Sequence, residues 1–178
     1  TATPGIAARI VVTRSEEVQA LCRAQGVPVL LHCLPGRNDT VRLGLSALLE
    51  QLPELNGCMF LPGDQPLLRR ETVEAMVKCF CCEQPSPAEW QKETEREIFR
   101  LGAVADNDPT PLVGSPVLFG SSFFSELLTL PENKGGNVLL KKYPAQVRTV
   151  CIADNAELLD ADTPQVLQQL KVLARQKG

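Results

Sequence analysis

Short apolar runs rich in β-branched residues alternate along this chain with longer segments of helical period, and few folds accommodate that order. The runs at residues 8–13, 27–32 and 58–61 predict strands. Between the last two, apolar residues recur on one helical face at Val41, Leu45, Leu48, Leu49 and Leu52. The alternation predicts a three-layer α/β domain with a mostly parallel sheet.

The second half of the chain continues the pattern. Strands are predicted at 98–104, 116–119 and 146–152, and helices at about 73–80, 122–130, 137–142 and from Pro164, with Thr163 as its cap. The strand at 116–119 begins with proline, which favours an edge position or an irregular pairing. Residues 106–111 predict a turn, and residues 84–97 a polar surface excursion that contains a short helix. We expect one domain over residues 1–178.

Composition excludes several classes of protein. The chain has 178 residues, 44% of them hydrophobic and 22% charged, which suits a domain with a real core rather than a disordered chain. No apolar run reaches the ~18 residues of a membrane span. A net charge of -3 and 4% aromatic residues favour neither a membrane surface nor nucleic acid as a partner. The first residues do not resemble a signal peptide, so we expect a cytoplasmic protein.

Seven cysteines raise the question of disulfides or zinc. The odd count without a secretory signal argues against a disulfide framework. Cys79, Cys81 and Cys82 are clustered, but no second ligand pair follows at zinc-site spacing. We therefore expect reduced cysteines, some of them packed as small apolar residues.

Ligands of open α/β sheets bind in the loops beyond the carboxyl ends of strands. In the first such loop, Gly36 permits close backbone approach, Arg37 offers a two-pronged donor, and Thr40 could bind a ligand at a helix start. Asp39 or Thr40 as a simple helix cap is the alternative. A second glycine-containing turn, at 134–137, is either an anion site or an ordinary turn.

Two further loops are acidic. Asp64 follows the strand at 58–61, and Asp160 and Asp162 precede the last helix. Carboxylates suit Mg²⁺, which binds one or two of them together with substrate phosphates. Taken singly, Asp64 could be a turn residue, and Asp162 could merely favour the helix dipole. If the two loops converge, they form a divalent-metal site for a phosphorylated ligand.

Three segments carry a family resemblance. Residues 61–67 (LPGDQPL) resemble the PxDxPL loop of the MobA-like nucleotidyltransferases, 114–119 (GSPVLF) their GHPVLF segment, and 155–164 (NAELLDADTP) the approach to their DIDTP signature. The branch that these segments resemble best is the molybdenum-cofactor cytidylyltransferase type. The resemblance implies a Rossmann-like fold with a mixed, mostly parallel sheet. It also implies Mg²⁺-dependent transfer of CMP or GMP from CTP or GTP to the phosphate of molybdopterin, with release of pyrophosphate.

The same resemblance implies roles for individual residues. Asp64 and Asp162 would be catalytic through Mg²⁺, with Asp160 as a third candidate ligand. The implied nucleotide-binding residues are Gly36, Arg37, Thr40, Gly63 and Asp64, and the implied substrate-binding residues are Gly114, Ser115, Pro116, Gly135 and Gly136. Molybdoenzymes or their chaperones are the implied protein partners.

The chain also departs from the family pattern. Ser115 replaces the family's histidine, and nothing before Arg9 matches the opening motif LAAGxSxRMG. We therefore expect a fold that lacks its first strand here, and a natural chain that is longer. Two alternative functions stay open, namely a sugar- or polyol-phosphate cytidylyl- or uridylyltransferase and a non-catalytic cofactor-binding module.

Overall fold

The computed structural model describes residues 3–83, 97–105 and 108–177. The described residues form six strands, which are β1 (Val11–Thr13), β2 (Val29–Leu31), β3 (Gly57–Phe60), β4 (Ile98–Ala105), β5 (Asp108–Gly120) and β6 (Val147–Ile152). Their α-helices are α1 (Glu16–Ala24), α2 (Arg37–Gln51), α3 (Arg70–Glu83), α4 (Phe124–Leu128), α5 (Asn137–Lys142) and α6 (Pro164–Lys177). Short 3-10 helices lie at Ser121–Phe123, Pro144–Gln146 and Asn155–Leu158.

The strands form two sheets. β1 and β2 pair in parallel, with Val11 opposite Val29. The larger sheet has the strand order β3-β5-β4-β6, in which β4 and β6 are parallel and Ile98 lies opposite Val147. The predicted class, a mixed α/β fold with a mostly parallel sheet, is confirmed.

The described chain divides into two compact units. The first comprises the described residues of Thr1–Gly5, Met59–Leu118 and Val147–Gly178, and the second comprises Ile6–Cys58 and Phe119–Gln146. The single domain expected over residues 1–178 stays a prediction.

The core of the first unit lies between α3 and the sheet. Met76 and Phe80, one helical turn apart on α3, pack with Phe99 and Leu101 of β4 and with Leu158. The rings of Phe80 and Phe99 meet edge to face, with centroids 5.9 Å apart. This packing holds β4 and the 3-10 helix at 155–158 in one apolar layer.

The second unit has its own buried residues. Leu45 of α2 is fully buried, and a Cβ at the neighbouring Gly44 would lie 3.0 Å from Val12 of β1. The rings of Phe123 and Tyr143 meet with centroids 5.5 Å apart. Both the α2 face and the aromatic pair therefore contribute buried apolar surface to this unit.

The strand predicted at 116–119 is present, but the edge position expected for it was wrong. It belongs to β5, which begins at Asp108, where a turn was expected, and lies between β3 and β4. Pro116 itself removes only one backbone donor from this 13-residue strand, which also contains Pro109 and Pro111. Burial of Pro116, Val117, Leu118 and Phe119 outweighs that loss.

Two helix boundaries also differ from expectation. Helix α2 begins at Arg37 with Gly36 as its cap, so neither Asp39 nor Thr40 is the cap residue. The helix expected over 122–130 is a 3-10 turn followed by the short α4. The helix expected over 88–96, within the excursion at 84–97, lies outside the described residues.

Candidate active site

The first acidic loop follows β3. Asp64 is exposed there, and a Cβ at the adjacent Gly63 would meet no atom within 4 Å. Gln65, the next residue, is by contrast only 8% exposed. The loop therefore presents one carboxylate to solvent and buries the amide beside it.

The second acidic loop lies between two capped helical segments. The carboxylate of Asp154 accepts a hydrogen bond from the Ala156 N–H at the start of the 3-10 helix. Thr163 Oγ1 accepts one from the Val166 N–H at the start of α6, as its predicted role as cap requires. Asp160 and Asp162 lie exposed between these two caps.

The structure brings the two acidic loops into direct contact. The Ala161 N–H donates to the Asp64 carbonyl oxygen at 2.8 Å. Gln65 Nε2 donates to Asp160 Oδ1 at 2.9 Å. Loops separated by about a hundred residues in sequence are thus joined by one main-chain and one side-chain hydrogen bond, within the first unit.

A buried carboxylate that the sequence analysis did not single out strengthens this junction. Glu157 is 1% exposed and accepts hydrogen bonds from the backbone N–H and the guanidinium of Arg69 and from the hydroxyl of Thr72. It ties the 3-10 helix before Asp160 to the start of α3. The sequence signal was a charged residue enclosed by Ala156 and Leu158, since buried charges need partners.

The pKa values of this pair follow from its contacts. Burial opposes ionisation of Glu157, but the hydrogen bonds from Thr72 and Arg69 outweigh it and hold the pKa of the carboxyl below its usual value. The hydrogen bond to Glu157, and then its charge, raise the pKa of Arg69. Glu157 is therefore a charged structural residue at neutral pH.

The donor set of the acidic loops fits a hard divalent cation. Within the described ranges, no three or more His, Cys, Asp and Glu side chains form a group that could hold a metal ion, so Asp64, Asp160 and Asp162 do not converge into one three-carboxylate group. Mg²⁺ does not need such a group, because one or two carboxylates, water and substrate phosphates complete its shell. Asp64, Asp160 and Asp162 supply carboxylates of the required kind on touching loops, and their assignment as ligands stays a prediction.

The expected substrate segment at 114–116 lies in β5. A Cβ at Gly114 would lie 3.5 Å from the side chain of Leu158, an ordinary packing distance. Ser115 is half-buried, while Pro116 is fully buried and belongs to the core. Of these three residues, only Gly114 and Ser115 are therefore partly exposed to solvent, as a contact with a substrate requires.

In the second unit, the loop before α2 is organised by its own side chains. The Gly36 N–H donates to the carboxylate of Asp39 at 3.2 Å. The hydrogen bond from Arg42 lowers the pKa of Asp39 by more than burial raises it, and the hydrogen bond from the Gly36 N–H lowers the pKa further. Gly36 is buried, whereas the Arg37 side chain is exposed and available to a ligand.

Thr40 has a partner within the same unit. Its Oγ1 and His32 Nε2 share a hydrogen bond of 3.2 Å. The other ring nitrogen, Nδ1, is buried without a hydrogen-bond partner in the described part of the chain. Thr40 is therefore oriented by His32, the first residue after β2, rather than left free at the helix start.

The glycine turn at 134–137 is linked to that loop. Asn133 has a positive φ of 60°, which few residues other than glycine and asparagine adopt, and its N–H donates to Asn38 Oδ1 at 3.0 Å. A Cβ at Gly136 would lie 2.9 Å from the ring of Phe119, so this glycine serves close packing. Gly135 has open space around it. The structure thus joins the two segments of the second unit that were expected to bind ligands.

Several solved structures share this fold. Rv0371c from Mycobacterium tuberculosis H37Rv is 21% identical, with a TM-score of 0.68 over 91% of this chain and 74% of its own. A structure of the same protein complexed with manganese is 20% identical, with a TM-score of 0.62 over 90% of this chain and 74% of its own.

Two other solved proteins give similar values. A nucleotidyl transferase from Methanothermobacter (Mth528) is 17% identical, with a TM-score of 0.68 over 98% of this chain and 76% of its own. The 4-diphosphocytidyl-2C-methyl-D-erythritol synthase of Anaerococcus prevotii is 12% identical, with a TM-score of 0.66 over 97% and 81%. At such identities the likeness establishes the fold alone.

The remaining comparisons concern sequence. No curated protein matches the chain. None of the described helices is long and apolar enough to cross a membrane. A family model described as the MobA-like NTP transferase domain matches residues 1–148, most of the chain. With the fold and the touching acidic loops, this match shows that the chain belongs to the MobA-like nucleotidyltransferase family.

Proposed function

We propose that this protein is a divalent-metal-dependent nucleotidyltransferase that transfers CMP, or GMP, from the nucleoside triphosphate to the phosphate of molybdopterin cofactor. The observation that carries the proposal is the contact between the acidic loops, Ala161 N–H to Asp64 carbonyl at 2.8 Å. This contact brings the two acidic loops, each with exposed aspartates, side by side on one surface. We expect a cytoplasmic enzyme whose product passes to molybdoenzymes or their chaperones.

The proposed reaction is an attack by a phosphate oxygen of the acceptor on the α-phosphorus of CTP. A new phosphoanhydride bond forms, the α–β bond breaks, and pyrophosphate leaves. Such transfer depends on positioning and on neutralising phosphate charge rather than on covalent catalysis. When bound, Mg²⁺ supplies the charge neutralisation.

The chain's own residues have distinct roles in this proposal. Asp64 and Asp162, with Asp160, would hold the Mg²⁺ ion. In the first unit, the backbone at Gly63 is a proposed nucleotide contact, and Gly114 and Ser115, next to the buried Pro116, are proposed acceptor contacts. In the second unit, Arg37, Thr40 and the backbone at Gly36 are proposed nucleotide contacts, and the turn at 135–136 is a proposed acceptor contact.

The acceptor is the least constrained part of the proposal. Molybdopterin is supported by the resemblance of segments 114–119 and 155–164 to the molybdenum-cofactor branch. A sugar- or polyol-phosphate cytidylyl- or uridylyltransferase is the second candidate, because 4-diphosphocytidyl-2C-methyl-D-erythritol synthases share this fold. Support for a divalent metal comes from the manganese complex of Rv0371c.

Pyrophosphate release tests the proposal directly. The chain is incubated with CTP, GTP or UTP and Mg²⁺, with molybdopterin or a polyol phosphate as acceptor, and with EDTA as a control. We expect release that requires molybdopterin, one cytidine or guanosine nucleotide and the metal. Release with the polyol phosphate alone would favour the second candidate. Selective thermal stabilisation by a nucleotide without release under any condition would indicate a non-catalytic binding module.

A further inference from the structure

Gln65 differs from its neighbours in the acidic loop by its burial. It is 8% exposed, while Asp64 and Pro66 on either side are exposed. Desolvating an amide is unfavourable unless hydrogen bonds compensate. The burial of Gln65 therefore needs hydrogen bonds at both ends of its amide.

The amide of Gln65 makes one hydrogen bond and lacks another. Its Nε2 donates to Asp160 Oδ1 at 2.9 Å. Its Oε1 is buried and has no partner in the part of the chain that the structure describes. The reverse orientation of the amide would bring two acceptor oxygens together, so the carboxylate itself fixes the orientation. A purely structural glutamine would be expected to pair both ends of its amide.

We propose that Gln65 is a positioning residue that fixes the Asp160 carboxylate for the divalent metal beside Asp64, an inference that rests on the proposed function. A carboxylate that accepts a hydrogen bond through one oxygen can still offer the other to a cation. The Ala161 N–H bond to the Asp64 carbonyl fixes the backbone on both sides of this contact. Backbone and side chain of the second loop are thus both held against the first.

The expected consequence is a loss of metal affinity when the donor is removed. Partners that hydrogen-bond to a ligating carboxylate typically contribute about 10–100-fold to metal affinity. Gln65→Met keeps the length of the side chain and removes both the donor and the unpaired oxygen. Gln65→Leu is a second variant without the donor.

A double-mutant cycle on Mn²⁺ affinity separates positioning from a general effect on the fold. The affinity of the full chain for Mn²⁺ alone is measured from the electron paramagnetic resonance signal of the free ion, and thermal unfolding checks that each variant is folded. We expect Gln65→Met and Gln65→Leu to weaken binding about 10–100-fold in the wild-type background. In the Asp160→Asn background, we expect the same substitutions to change it by less than about twofold.

Two results would overturn the inference, namely unchanged Mn²⁺ affinity in both folded Gln65 variants, or equal losses in both backgrounds. Pyrophosphate release by the wild-type chain separates this failure from that of the proposed function. If the wild-type chain releases pyrophosphate but Gln65→Met binds Mn²⁺ as tightly as the wild type, the positioning role alone is overturned. A wild-type chain that binds no Mn²⁺ and releases no pyrophosphate overturns both.

Discussion

Glu157 and Arg69 join segments of the first unit that lie 88 residues apart, through hydrogen bonds of 2.8 and 2.6 Å from the guanidinium to Glu157 Oε1. Arg69 also donates its backbone N–H to the same carboxylate. The partners are unequal in burial, since 55% of the arginine side chain is exposed against 1% of the glutamate. The cost of breaking the pair therefore depends on which partner is removed.

Replacing Glu157 should destabilise the fold. We expect Glu157→Ala to lower the free energy of unfolding by about 2–4 kcal/mol, because the buried Thr72 hydroxyl and the Arg69 N–H lose their acceptor. Urea denaturation measures the change. Glu74→Ala, which breaks the exposed Arg70–Glu74 pair, is the control and should cost at most about 1 kcal/mol. Equal losses of unfolding free energy in the two variants would show that the buried hydrogen bonds of Glu157 stabilise the fold no more than an exposed ion pair does.

The same carboxylate makes stability depend on pH. Its pKa in the folded chain lies below the ordinary value of 4.5, so the folded state binds this proton more weakly than the unfolded state. The stabilisation is present above that ordinary value and is lost as the pH falls through the lower folded pKa. We expect urea midpoints of the wild type to fall more steeply below pH 4.5 than those of Glu157→Gln. Parallel curves would contradict this assignment.

Asp64 should matter for turnover and not for folding. Because the carboxylate is exposed, we expect Asp64→Asn to melt within a few degrees of the wild type. If Asp64 holds the metal, pyrophosphate release should fall at least about 100-fold. Glu54→Gln, at another exposed carboxylate, serves as the matched control for turnover. A large loss of stability without a change in rate would instead make Asp64 a structural turn residue.

Gly36 and Gly63 should respond differently to a methyl group. At Gly36 the added Cβ would collide with the Asn38 amide oxygen, which accepts the Asn133 N–H. We expect Gly36→Ala to cost about 1 kcal/mol or more, because the link between the two loops of the second unit must shift. Gly63→Ala meets open space and should leave stability within about 0.5 kcal/mol. Urea denaturation measures the unfolding free energy of both variants. Equal values for Gly36→Ala and Gly63→Ala would refute the prediction.

Cysteine reactivity should follow burial. Burial raises the pKa of the Cys58 thiol to about 11, so almost none of it is thiolate at pH 8. Cys33, Cys81 and Cys151 are exposed. We expect iodoacetamide at pH 8 to modify these three in the native chain and Cys58 only after unfolding, as mass spectrometry of peptides would report. Rapid native alkylation of Cys58 would contradict its burial in β3.

Local signals in the sequence were sufficient for much of the fold. Thr163 and Pro164 predicted the start of α6, because cap and first-turn residues act within four positions. The apolar period of α2 predicted the helix but not its first residue. That start depends on Asp39 reaching back to the Gly36 N–H, which makes Asp39 a partner of the cap rather than the cap.

Long-range features were less accessible. The early start of β5 at Asp108 was missed because residues 106–111 suggested a turn, whereas the whole strand lies between two neighbours in the sheet. Asp64, Asp160 and Asp162 stood out because they follow strands or precede a capped helix. The pairing of Glu157 with Arg69 could not be inferred, since nothing in either segment specifies a partner 88 residues away.

The bond between the Ala161 N–H and the Asp64 carbonyl involves no side chain. Amino-acid replacement at either position leaves both of its atoms in place, except for proline at 161, which would remove the donor. This bond between the loops is therefore insensitive to which side chains they carry. If Asp64 and Asp162 hold the metal as proposed, histidine or cysteine at these positions would change the metal preference and leave the backbone contact in place.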